Sequence, residues 1–150
     1  MSEHVAEIRW RRAGRQFAYE TYARDHEWRF ENGLVVSASA NPAYLGSASR
    51  VDPEEAFVAA LSSCHMLTFL AIAARKRFVV DEYVDHAVGV LEKNADGRMA
   101  ITRVTLHPEI GWSGDPPDAA ALATMHRLSH EQCFIANSVT TDVTVAGIDT

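Results

Sequence analysis

The chain has 150 residues and a mass of 16.5 kDa, with 47% hydrophobic and 23% charged residues, which fits a single domain over residues 1–150 with a core of its own. A net charge of −6 and a pI near 5.6 exclude the excess of Lys and Arg that a nucleic-acid binder uses to neutralise phosphates, and a cationic helix lying on a membrane. No run reaches the roughly 18 unbroken apolar residues of a membrane span. Glu3, His4 and Glu7 deny the N-terminus the apolar centre of a signal peptide. The expected compartment is the cytoplasm, where two cysteines read as redox-active, metal-binding or simply buried before they read as a structural staple.

Along the chain, Val5, Ile8 and Trp10, and then Phe17, Tyr19 and Tyr22, are strand formers separated by an Ala13-Gly14 turn. Trp28 and Phe30 alternate with charged residues, and Asn32-Gly33 marks a hairpin before Leu34-Val35-Val36. Residues 41–50 are small and irregular, a loop. Asp52 then opens a long helix: it is a good N-cap, Pro53 suits the first helical position, and Glu55 completes a capping-box spacing. Phe57, Ala60, Leu61, Cys64, Leu67, Thr68 and Ala71 follow at three- and four-residue steps, which places Cys64 in the expected apolar stripe. Arg75, Lys76 and Arg77 suit the helix end.

Two further strands are expected over Tyr83–Glu92 and Met99–Ile110, joined by the Asn94-Ala95-Asp96-Gly97 turn. Pro116-Pro117-Asp118 introduces a second helix running to about Cys133, and Ser138–Val145 reads as a last strand. The order of strands, long helix, strands, helix and strand predicts an α+β fold with a largely antiparallel sheet.

Several residues have the chemistry of a site. Mid-helix burial normally raises the pKa of a thiol, so Cys64 is reactive only if a cation or hydrogen-bond donors reach it from outside its helix; otherwise it is a small buried hydrophobe. His126, His130 and Cys133 follow at i, i+4 and i+7 on one helix face, a spacing compatible with three ligands of a transition metal, the fourth being Cys64 or His65, or with a plain helix face. Glu54 and Glu55 suit acid–base work or merely complement the helix dipole. The other histidines are scattered, and no glycine pattern for phosphate or dinucleotide binding occurs.

The segment Asp52-Pro53-Glu54-Glu55-Ala56-Phe57 through Ser62-Ser63-Cys64 resembles the Asn-Pro-Glu helix start of the OsmC/Ohr family, the osmotically inducible and organic hydroperoxide resistance proteins, with a cysteine ten positions beyond the Glu. A second cysteine, 69 positions after the first and followed by a terminal strand, extends the resemblance over nearly the whole chain. It implies a thiol-dependent peroxidase without metal or haem, working as an intertwined homodimer with a long central helix that carries the first cysteine. On that resemblance Cys64 is the peroxidatic cysteine, Cys133 the resolving cysteine and Glu54 the carboxylate that orients an arginine. Arg24, next to Asp25 on the strand ahead of the hairpin, is the first choice for that arginine; Arg50, in the loop before the long helix, is the rival. Three positions depart from the family: Asp52 replaces Asn, His65 follows Cys64, and Phe134 rather than proline follows Cys133.

The implied cycle runs through a Cys64 sulfenic acid and a Cys64–Cys133 disulfide, and an external dithiol, a lipoylated protein or a small thiol, closes it. No bound cofactor is expected. The competing reading is a non-catalytic small-molecule or metal-binding module on the same fold, using the histidine–cysteine face of the second helix. A third is a structural dimer with inert cysteines.

Overall fold

The Asn32-Gly33 hairpin forms where the sequence places it. In the computed structural model, which describes residues 1–148, β2 (His26–Phe30) turns antiparallel into β3 (Val35–Ala38). Gly33 takes a φ of 83° in that turn, a value glycine adopts without steric cost. β1 (Ala6–Arg9) pairs with β2 on its other edge, giving a three-stranded sheet in the order β1-β2-β3. The second expected N-terminal strand does not form. Phe17 and Tyr22 instead lie in a turn region and gather with Trp10 at ring-centroid distances of 5.3–6.3 Å. Their side chains pack on one another rather than on a pleated neighbour, so β propensity alone misled.

The chain divides into two compact units, Met1–Ala56 and Phe57–Thr150. α1 (Pro53–Arg75) begins at the boundary. Its cap is reciprocal: the Glu55 amide donates to Asp52 Oδ1 at 2.8 Å, and the Asp52 amide donates to Glu55 Oε2 at 3.1 Å. At the other end Arg77 sits at φ 66°, with its amide on Ala74 O and the Phe78 amide on Ala73 O, a Schellman stop.

The buried face of α1 differs from the expected stripe. Leu61, His65, Phe69, Ile72 and Ala73 are buried, whereas Ala60, Leu67 and Ala71 are exposed and Cys64 lies half-buried at the margin. Apolar residues occur all round this helix, so three- and four-residue steps can be drawn along more than one face. By length and composition α1 is long and apolar enough to cross a membrane, although no unbroken apolar run within it approaches 18 residues.

In the second unit, each long strand expected from sequence is two. β4 (Val79–Asp85) and β5 (Val88–Lys93) replace the first, and β6 (Met99–Leu106) and β7 (Pro108–Ser113) the second. Both breaks meet at Asp85, whose Oδ1 accepts the His107 amide at 2.6 Å. β4 pairs only with β7, while β5, β6 and β8 (Asp142–Val145) form a separate sheet in that order. Every pairing of named strands is antiparallel except β6 with β8. α2 (Ala119–Gln132) starts at its Asp118 cap and ends at Cys133.

Two apolar clusters fill this unit: Leu61, Val104, Leu106, Val143 and Val145 in one, and Phe69, Ile72, Ala73 and Met125 in the other. Val58 of α1 lies so close over Gly89 that a Cβ there would stand 2.4 Å from its Cγ2. The α+β class with antiparallel-dominated sheets is the one expected.

Candidate active site

The two cysteines are neighbours. Cys64, on the fourth turn of α1, and Cys133, the C-cap of α2, are free thiols close enough for Cys64 to perturb the ionisation of Cys133. Their environments differ. Cys64 is half-buried, whereas Cys133 is 1% exposed and receives the Ala136 amide on its sulfur at 3.4 Å. Burial, reinforced by the hydrogen bond and charge of Cys64, pushes the Cys133 thiol up to about 11, against a smaller opposing effect of the Ala136 amide. Burial thus disfavours the Cys133 thiolate, and Cys64 is the thiol of the pair that solvent can reach.

Cys64 stands between two pinned residues of its own helix. Ser62 Oγ donates to Asp85 Oδ2 of β4 at 2.5 Å, and His65 Nε2 lies 3.0 Å from His126 Nδ1 of α2. Both histidines are 1% exposed, with their rings 9° from parallel, and Phe69 stacks on His126 at 4.4 Å between centroids. Burial holds both rings down to about 4; His126 and His130 depress His65 further, and Asp85 opposes the shift at His126. Sequence reading missed Ser62 and Asp85, and it joined His65 to the His126 face only as a fourth metal ligand, not by the direct contact that forms. The one available signal was His65 itself, a polar residue beside the cysteine on an apolar helix.

The histidine–cysteine face of α2 does not gather as a metal site. His126 turns to His65, and Cys133 to Cys64 and the Ala136 amide. Among the described residues no group of three or more His, Cys, Asp or Glu side chains could hold a metal ion.

Arg24, Arg50 and Glu54 belong to the first unit. The Arg24 guanidinium donates to Tyr22 O at 2.6 Å and Tyr19 O at 2.5 Å, and lies 3.7 Å from the centre of the Tyr22 ring. Two carbonyls and a ring orient it, and among the described residues no ion pair joins it to Glu54. The two side chains nonetheless line one cavity of about 570 Å³, with Trp10, Phe17, Tyr22 and Tyr44 among its walls. Arg50 pairs with Asp25 at 3.3 Å and lines a separate polar cavity with Arg9, Arg11, Glu27 and Arg29. Arg24, not Arg50, thus shares a cavity with Glu54. Along continuous α1, Glu54 precedes Cys64 by ten residues, about 15 Å of axial rise, beyond the reach of a carboxylate.

Comparison with known proteins places these residues in a family. The model of the OsmC-like proteins matches residues 46–146, which include Glu54 and both cysteines. An OsmC-like protein of unknown function from Vibrio cholerae is 49% identical, with 97% of this chain and 98% of that one covered and a TM-score of 0.93. Organic hydroperoxide resistance proteins from Legionella pneumophila (16% identity, TM-score 0.73) and Elizabethkingia anophelis (18%, 0.70) share the fold, each over 97% of this chain and 96% of theirs. No curated protein matches this sequence. With the matched segment holding both cysteines and the fold shared end to end, the chain belongs to the family of OsmC-like proteins.

Proposed function

We propose that this protein is a thiol-dependent peroxidase that reduces organic hydroperoxides to alcohols. The observation that carries this reading is that Cys64 and Cys133, 69 positions apart in sequence, are neighbours in the fold, one thiol reachable and the other buried. In the cycle, the Cys64 thiolate attacks the distal peroxide oxygen. The O–O bond breaks, the alkoxide takes a proton and leaves as alcohol, and Cys64 is oxidised to a sulfenic acid. Cys133 then displaces the sulfenic oxygen, which departs as water with the Cys133 proton, and the disulfide protects Cys64 from further oxidation. An external dithiol, a lipoylated protein or a small thiol of the cytoplasm, returns both thiols by exchange.

Arg24 supplies the permanent positive charge that a thiolate and a developing oxyanion need, and the aromatic walls of its cavity suit an organic group. Because Glu54 cannot reach Cys64 along its own helix, we assign Glu54 and Arg24 to a site completed by Cys64 of the partner subunit in a homodimer. The chemistry is tested by intact-mass analysis after one equivalent of tert-butyl hydroperoxide. A loss of two hydrogens with a Cys64–Cys133 crosslink is expected, and a folded protein whose Cys64 stays unmodified would falsify the reading. Mixed dimers of Cys64→Ser with Glu54→Ala test the shared site: recovered activity supports it, and complete inactivity rejects it.

A further inference from the structure

The buried pair His65–His126 is used by no step of this cycle, yet its rings come from the two helices that carry the cysteines, with His65 next to Cys64 in sequence. A solvated helix face would not place two imidazoles at 1% exposure with a 3.0 Å contact between them, because an unpaired buried ring nitrogen is costly. The contact is directional. It fixes how α1 is rotated at residue 65, and Ser62 on Asp85 fixes the same helix three residues earlier. Cys64 lies between these two anchors. On α2, His126 precedes Cys133 by seven residues, close to two full turns, so the two project from nearly the same side of that helix. Phe69 stacked on His126 blocks rotation of its ring.

A disulfide tolerates little error. Its Cβ atoms must stand roughly 3.5–4.5 Å apart with a restricted dihedral angle, so a shift on the order of 1 Å between the helices strains it. We infer that His65 and His126 are positioning residues that hold Cys64 and Cys133 in disulfide-forming register, and so set how readily the pair oxidises. The groups facing the two rings are compatible with a fixed neutral contact. His130 comes from α2, Asp85 from β4 and Phe69 from α1, and burial keeps both rings uncharged at neutral pH. One ring then donates and the other accepts, with no charge to repel.

This inference rests on the peroxidase reading for its biological meaning but not for its test. The thiol–disulfide equilibrium of the full-length protein against dithiothreitol reports on the register: Cys64 and Cys133 lose two protons and two electrons to oxidised dithiothreitol, which becomes the dithiol. His126→Phe keeps the stack on Phe69 and removes the contact to His65. It is expected to lower the equilibrium constant for forming the protein disulfide about tenfold, equivalent to about 30 mV. His126→Asn places an amide near the position of Nδ1 and is expected to recover most of that loss. Val143→Ala, in the other apolar cluster, controls for general destabilisation: it lowers the melting temperature and leaves the equilibrium unmoved.

After one equivalent of tert-butyl hydroperoxide, dimedone should trap more Cys64 sulfenic acid in His126→Phe than in the wild type. An equilibrium at or above the wild-type value in His126→Phe overturns the inference, as does an equal shift in Val143→Ala. Should His126→Phe not fold, His65→Phe breaks the same contact from α1 and is read in the same way. A Cys64 inert to peroxide, with the dithiothreitol equilibrium shifting as described, would remove the peroxidase reading alone. Normal sulfenic acid formation with an unmoved equilibrium would remove only the positioning role.

Discussion

The two units of this chain are held by different forces. In Met1–Ala56 the buried residues are Ala38, Ser39 and Asp52, two of them polar. Ser39 Oγ donates to Asp25 and accepts the Ser47 amide, and Asn41 Nδ2 donates to Asp52. Eleven large hydrophobic residues of this unit are exposed, against seven in the longer second unit, where two apolar clusters form the interior. A three-stranded sheet without an apolar interior is marginal by itself. Directional polar contacts therefore give the first unit its shape, and burial gives the second its stability.

The sharpest way to break that contrast is truncation of one aromatic ring in each unit. Phe69→Ala, fully buried, is expected to cost about 3–5 kcal/mol, whereas Phe17→Ala, at 67% exposure, should cost less than about 1 kcal/mol. Equilibrium denaturation in urea measures both, and equal losses would show that the first unit has an interior comparable with the second.

Acid separates the units next. His65 and His126 bind protons at about 4 in the folded chain and near 6.5 when free, so between those values the unfolded chain carries more protons. Stability is complete above pH 6.5, falls as pH drops toward 4, and levels off below it. The loss is on the order of 3 kcal/mol for each ring that titrates independently. His126→Phe should flatten this part of the pH–stability curve, and a wild-type slope in that variant would assign the acid sensitivity elsewhere.

Smaller effects concern the two ends of α1. Asp52→Ala removes the capping box and the Asn41 contact together, and is expected to cost roughly 1–2 kcal/mol. Arg77→Gly relieves a left-handed backbone at the Schellman stop and should stabilise by up to about 1 kcal/mol. Melting temperatures suffice for both, and a stabilising Asp52→Ala would show that the polar contacts of the first unit contribute no net stability.

What could be read from the sequence was local. Asp52 with Glu55, Asn32-Gly33 and Asp118 act through neighbours within a few residues, and all three form as expected. The strand breaks at Asp85 and His107 were illegible because the bonds that hold those corners come from residues about twenty positions away. The same holds for the site. Cys64 and Cys133 could be named from the resemblance, but their proximity, and the contact of His65 with His126, depend on how α1 and α2 pack. No spacing along one helix encodes that. Arg24 was named by position, and its orientation by Tyr19 and Tyr22 follows from a turn that strand propensity misread.

The parallel pairing of β6 with β8 has a kinetic consequence. Arg103 is matched with Asp142, and Leu106 with Val145, across 39 residues that include β7 and all of α2. Local pairs such as β5 with β6 can close early, but Val143 and Val145 join Leu61, Val104 and Leu106 only after that long loop has been closed. Until then one edge of β6 offers unpaired backbone groups to any other strand. The docking of β8 is thus the step at which this chain, during folding, is most exposed to pairing with the wrong partner.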